Sequence, residues 1–459
     1  MTMIGMFLSQ TLVHYKFLLA TTASSPHLQG TLLPRGFFLG LGAIYMLALA
    51  VDRLAANLRL PGAAAILLLG LVIPSDWLTQ SQWLDAVHVE TLHRVSLALL
   101  IFYAGLKTDL RRIRGQASTG LALGCGGVAL TVAITALTLL MLTPLLAPGL
   151  PPAVAVLAMT CLGATDSGAI DDLFVALAHP IRARLTHLLQ FEVAVSTIVT
   201  LLGFGFLAGL LKDQSHGDHH AVQGLLAIGA MDQFGAVGLH VVAGLLAGLL
   251  VGALAPRFID AIVRSEPMLL LVAVALAFVS YGLGQILGGG GLVAVFVAGV
   301  MLSNGRYRIN RFEQQALGRV MHPFNTAAEI TVLLLLGFLV RPEAIVSVLP
   351  LGFLLAIVVP IARLLTLTVL LPSKVFSWPD RFVVAGFGLR AAVPLAMALS
   401  LTEELPHISG VTATIANQLG EQILAMLYIV VLLDLLLQPL LIRMGLRSGL
   451  KLDATSSQL

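Results

Sequence analysis

Residues Gly163-Ala-Thr-Asp-Ser-Gly-Ala-Ile-Asp-Asp172 set three carboxylates and two glycines into a run, 152–178, that is otherwise built of apolar side chains. An ionised carboxylate at the centre of a bilayer costs about 2.5–3.5 kcal/mol even on lenient insertion scales. A sequence that keeps one there normally uses it to hold a cation or a proton. Thr165 and Asp166, deep in the run, are therefore the first candidates for a binding site.

The rest of the chain makes the bilayer reading necessary. Of 459 residues, 58% are hydrophobic and 11% charged, and the mean hydropathy is +0.97. Soluble domains carry about 25% charged residues, so the chain reads as an all-α polytopic membrane protein. The apolar runs are continuous, without the alternation of a transmembrane barrel. Hydropathy gives about thirteen helical spans. No stretch is long and polar enough for a soluble second domain. Cys125 and Cys161 both lie in apolar runs and point to neither a disulfide nor a metal cluster. The net charge of +3 reflects basic loops and implies no nucleic-acid partner.

Basic residues concentrate in alternate loops: Arg53/Arg59, Lys107–Arg114, Arg182/Arg184, Arg257/Arg264, Arg306–Arg319, Lys374/Arg381 and Arg443–Lys451. With an odd number of spans, the positive-inside rule places the N-terminus outside and the C-terminus in the cytoplasm. Residues 1–35 read either as a signal or as an extra helix, 36–445 as one integral domain and 446–459 as a short cytoplasmic tail. The compact loops suit a prokaryotic inner membrane or an organellar one. The seventh span, 222–255, is long for one crossing and is expected to kink or lie partly at the interface near Asp232–Gly235.

Two spans are interrupted: the fifth by Gly163–Gly168, and the twelfth by Gly386-Phe-Gly-Leu-Arg-Ala-Ala-Val-Pro394. Paired broken helices in the two halves of a membrane protein point to a midplane ion site, because helix ends and freed carbonyls then face the substrate. Span count and position fit an inverted repeat. No repeat is visible residue by residue.

Several polar groups accompany the breaks. Thr165 and Asp166 offer a hydroxyl and a carboxylate, the oxygen ligands that hard cations take; Asp166 would alternatively cap the next helical segment. Asp171 and Asp172 approach the cytoplasmic end as funnel or cap residues. Glu192 lies on the next span, on one face with Ser196 by i, i+4 spacing. A buried glutamate needs a partner, and Arg363, equally deep in the eleventh span, is the best candidate for a structural ion pair. Arg390, in the twelfth-span break, would offset Asp166 or snorkel to the cytoplasmic surface. Asp232, Glu329, Glu421 and Asp434 lie in or beside spans, as helix glue or funnel edges. His216-Gly-Asp-His-His220 reads as a solvated external loop. There is no phosphate-binding loop, nucleophile–base pattern or metalloprotease helix, so an enzyme is not expected and no cofactor or bound metal is implied.

With these residues in place, the chain resembles the monovalent cation:proton antiporters, specifically the NhaP-type sodium/proton exchangers, over about 36–445. Arg59-Leu-Pro61 and Phe102-Tyr-Ala-Gly-Leu-Lys-Thr-Asp-Leu110 resemble motifs at the start of the second span and the close of the third. Thr165-Asp166 is similar to the Thr-Asp of the family's broken helix, Glu192 and Arg363 to its paired glutamate and arginine. Gly388-Leu-Arg-Ala-Ala-Val393 resembles its Gly-Leu-Arg-Gly-Ala-Val, and Leu436-Leu-Gln-Pro-Leu440 its last helix. The resemblance implies an elevator-like exchanger with two broken helices, usually a homodimer, whose six-helix core carries the ion past a dimerisation domain.

Two departures bear on mechanism. Ser167 stands where the family has proline, and Ser196-Thr197 stand where it has Asn-Asp. The carboxylate usually taken as principal ion ligand is therefore missing. An alternative alignment, nearer the potassium-efflux relatives, would put Glu192 at the ion site but orphan Arg363. The preferred expectation is exchange of Na⁺, or Li⁺ or K⁺, for H⁺ at Asp166, with neutral oxygens from Thr165, Ser196 and Thr197. One free carboxylate predicts one proton per cation, hence electroneutral exchange. The competing expectation is a transport-inactive ion- or pH-sensing scaffold that keeps the fold.

Overall fold

The computed structural model describes residues 37–58, 60–73, 86–108, 117–146, 150–166, 168, 170, 183–213, 230–288, 290–305, 314–372, 375–408 and 411–456. Residues 1–35, Ser167, Asp171, Asp172 and the His216–His220 run lie outside them.

The described elements are helical throughout: α1 (Phe37–Asn57), α2 (Gly62–Val72), α3 (Ala86–Leu106), α4 (Ala117–Leu121), a π turn (Ala122–Gly126), α5 (Gly127–Leu146), α6 (Pro152–Cys161) and α7 (Ala183–Asp213). They continue as α8 (Ala230–Ile262), α9 (Glu266–Ile286), α10 (Gly291–Asn304), α11 (Gln314–Leu339), α12 (Pro342–Leu370), α13 (Trp378–Gly386), α14 (Ala392–Glu404) and α15 (Ala413–Ser456). Among the described residues, nine helices are long and apolar enough to cross a membrane, and α2, α6 and α10 are shorter apolar helices. Side chains such as Met46, Leu271 and Val346 are more than two-thirds exposed. Such apolar surface faces lipid at no cost.

Prolines mark where several helices begin. α6 opens at Pro151-Pro152 and α12 at Pro342, where the missing N–H would have had no partner anyway. At α13 a capping box closes the first turn: Ser377 Oγ accepts from the Asp380 N–H, and the Asp380 carboxylate accepts from the Ser377 N–H at 3.0 Å. The expected kink near Asp232–Gly235 is not found. α8 runs unbroken from Ala230 to Ile262, several residues beyond the expected end. Asp232 and Gly235 both fall inside this helix.

The helices form two packed groups. One joins α1, α2 and α3 with α8, α9, α10 and α11; the other joins α4, α5, α6 and α7 with α12, α13, α14 and α15. Close backbone approach holds the first group together. A Cβ on Gly70 would lie 2.8 Å from the Gly337 Cα, and one on Gly337 would lie 2.6 Å from the Gly70 Cα. Only glycine admits that contact, and in lipid such contact replaces the hydrophobic drive that water would supply. At the seam between the groups, α11 and α3 meet α14. There His93 Nε2 donates to the Ala396 carbonyl at 2.8 Å. In the second group, the two interrupted segments, after α6 and between α13 and α14, cross each other.

Candidate ion-binding site at the helix crossing

The helix stops at Cys161; Gly163 N–H closes a last turn onto the Thr160 carbonyl at 2.9 Å, and residues 164–166 have no regular secondary structure. The opposing break spans 387–391, between α13 and α14. The chains meet backbone to backbone: the Asp166 N–H donates to the Leu389 carbonyl at 2.9 Å. The Asp166 carboxylate, 1% exposed, then receives two more N–H groups. Gly168 N–H donates to Oδ1 at 2.9 Å, and Val393 N–H, in the first turn of α14, donates to Oδ2 at 3.2 Å. Asp166 thus caps two helical starts, and its negative charge meets the positive end of the α14 dipole.

Neutral oxygens gather beside it. Thr165 Oγ1 lies 2.9 Å from Ser196 Oγ. Ser196 and Thr197 both donate to the Val193 carbonyl, at 3.0 and 2.8 Å. With Ser196's proton committed there, Thr165 is the donor in the first contact, and the Ser196 oxygen accepts from it. The π turn packs against this part of α7, with Gly124 beside Val195 and Ser196. Thr200, one turn on and fully buried, has an Oγ1 without a hydrogen-bond partner among the described residues. That oxygen lies 2.7 Å from where a Cβ on Gly163 would sit.

The other buried charges are held differently. Arg363 donates to both oxygens of Glu192, from Nη2 to Oε2 at 2.8 Å and from Nη1 to Oε1. Bidentate geometry of this kind is the strong form of the pair. The guanidinium lies against the α13–α14 break, where a Cβ on Gly388 would come within 2.7 Å of its Nε. Arg390 ties the two breaks together: Nε donates to the Leu162 carbonyl at 2.6 Å and Nη1 to the Gly388 carbonyl at 3.3 Å. The ion pair it makes is with Asp434 of α15, at 3.5 Å. Gln438, one turn on, also donates to the Gly388 carbonyl. Arg390 is buried rather than snorkelling, and the carboxylate beside it comes from α15.

Of the remaining polar residues, Glu421 pairs with Arg341 at 3.2 Å on the partly exposed surface. Glu329, buried on α11, lies beside Gly168, and so does Asn325 one turn earlier. Asn325 carried no signal in the sequence, being one amide in a helix of mixed polarity; only the seam between the helix groups brings it to the crossing.

Two interrupted helices crossing inside a polytopic bundle, with a buried carboxylate at the crossing, define a membrane protein of ion-exchanger architecture. The chain belongs to the sodium/hydrogen exchanger family, whose transmembrane profile matches residues 42–447. It is 25% identical over 372 residues to a K(+)/H(+) antiporter NhaP2 of Shewanella baltica, covering 79% of this chain. It is 23% identical to a K(+)/H(+) antiporter NhaP of Alkalimonas amylolytica over 81% of this chain. In each case the match spans 60% of the relative's length. Among solved structures, the sodium proton antiporter MjNhaP1 from Methanocaldococcus jannaschii shares the fold, with a TM-score of 0.71 at 18% identity. That superposition covers 89% of this chain and 97% of the other.

Proposed function

We propose that this chain exchanges a monovalent cation for a proton across a membrane by alternating access, with Asp166 holding one or the other. The observation that carries this proposal is the state of Asp166. Its carboxylate is buried at the crossing of two interrupted helices, held by backbone N–H groups, with the Thr165 hydroxyl next to it in the chain and in contact with Ser196 of α7. A carboxylate positioned by dipoles can release one positive partner and accept another. Membership of the exchanger family supports the same function.

Na⁺ is the first candidate, with K⁺ and Li⁺ next; the similar curated proteins are K⁺/H⁺ antiporters. A cation and a proton competing for one carboxylate give one-for-one, electroneutral exchange. The basic loops favour an external N-terminus and a cytoplasmic C-terminus. The family resemblance favours a homodimer, with the group containing α6, α7 and α12–α15 as the moving core and the group containing α3, α8 and α11 as the fixed scaffold.

Everted vesicles loaded with a pH-sensitive dye test the proposal. Addition of Na⁺, K⁺ or Li⁺ should collapse an imposed pH gradient, and Asp166→Asn should reduce that response to the level of empty vesicles. Exchange that survives in Asp166→Asn removes Asp166 as the carrier. A dependence of the equilibrium ion ratio on imposed voltage removes the one-for-one stoichiometry.

A further inference from the structure

The missing carboxylate on α7 has a counterpart on the other side of the seam. Gly168, two residues after Asp166, has no side chain to fill the space beside it. A Cβ there would lie 2.9 Å from Asn325 Nδ2, 2.9 Å from Glu329 Oε2 and 3.4 Å from Asp166 Oδ1. Three polar groups from two helix groups therefore converge on one point. Asn325 and Glu329 are one turn apart on α11, so they share a face, and are 2% and 7% exposed. The Asn325 amide nitrogen is buried there without a hydrogen-bond partner among the described residues. A donor in that condition costs about 1–3 kcal/mol, and a cation relieves it only once the amide has turned over to present its oxygen. A half-turn of the amide exchanges nitrogen for oxygen, so the same side chain can face a carboxylate or a cation.

We propose that Glu329 and Asn325 form a stationary acidic half-site that completes the cation's oxygen cage when the core is docked as seen here. The proposal rests on the exchange reading above, with Asp166 as the carrier. α11 packs with α2 and α3 in the scaffold group, whereas Asp166 belongs to the core group. A ligand on the scaffold stays behind when the core moves. Glu329 therefore captures the cation on one side of the membrane, and does not travel. It adds negative charge to the docked site without carrying a proton across, so the coupling remains set by Asp166. The chemistry is that of a weakly hydrated alkali cation held between two carboxylates and neutral oxygens.

Sidedness is the measurement that a merely structural role would not move. In proteoliposomes of full-length protein with defined orientation, the half-maximal cation concentration is read separately from each face, using Na⁺ and K⁺ at fixed pH. Glu329→Gln should raise it about tenfold from one face, the loss of one charge-assisted contact, and leave the other face within about twofold. Asn325→Ala should give a smaller shift from the same face, and Glu329→Asp should recover part of the affinity. A shift of equal size from both faces overturns the stationary half-site, as does an unchanged value for Glu329→Gln and Asn325→Ala together. If Glu329→Gln does not insert, Asn325→Ala and Glu329→Asp decide by the same criterion. Asp166→Asn run in parallel separates the two proposals. Flux that dies with Asp166→Asn while the α11 variants are silent refutes only the half-site; flux that survives Asp166→Asn refutes the carrier reading.

Discussion

Two buried polar regions lie within the same helix crossing and treat charge in opposite ways. On one side, Glu192 and Arg363 meet bidentately, and Arg390 and Asp434 make a second ion pair. Two acids and two bases balance, and Arg390 spends further N–H groups on the Leu162 and Gly388 carbonyls exposed by the breaks. On the other side, the charge of Asp166 is met by backbone N–H groups and a helix end. These contacts position the carboxylate through partial charges and the dipole of α14. The first region is a clamp on two interrupted helices; the second is where the proposed exchange would take place.

The comparison is broken most severely by removing one member of a pair. Glu192→Gln leaves the Arg363 guanidinium buried without its carboxylate, at a cost of about 3–5 kcal/mol. The melting temperature in detergent should fall sharply, whereas Asp166→Asn, expected to abolish the proposed exchange, should leave it nearly unchanged. Equal loss of stability in the two variants would erase the distinction. A smaller effect is expected from Gly388→Ala, whose methyl would press on the Arg363 guanidinium. Overpacking of this kind costs about 1–3 kcal/mol, and should appear as a lower melting temperature without a change in ion preference. The smallest effect is expected from Ser196→Ala. It removes one neutral oxygen beside Thr165, worth about 1 kcal/mol, and should raise the half-maximal cation concentration by about fivefold with the melting temperature unchanged.

Much of the clamp and little of the half-site is legible in the chain. Glu192 and Arg363 identify each other because each would be costly alone in an apolar span, and the structure sets them in contact. The two breaks are visible as glycines, and a proline, inside apolar runs. Arg390 illustrates the limit. Its burial follows from its place in a break, yet the sequence offers several carboxylates as its counter-charge, and Asp434 is the one that the packing of α15 delivers. Glu329 stands out as a charge in an apolar helix, but nothing local relates it to Asp166. Asn325 does not stand out at all. The long seventh span shows the same limit in the backbone, since composition cannot tell an interrupted crossing from the continuous helix α8.

Hydropathy, loop charge and the interrupting glycines determined by themselves that this is a multi-pass helical bundle with two broken spans and a carboxylate in the first break. Those features depend on transfer free energy and backbone conformation, which are local properties of the chain. Only the tertiary structure decided that the breaks cross, that Asp166 accepts the Val393 N–H at the start of α14, that Arg390 faces Asp434, and that α11 brings Glu329 and Asn325 to the same point as Asp166. These depend on which helices pack together. In lipid that choice rests on small residues and shape at contacts such as Gly70 with Gly337, because all apolar faces are equally at home there.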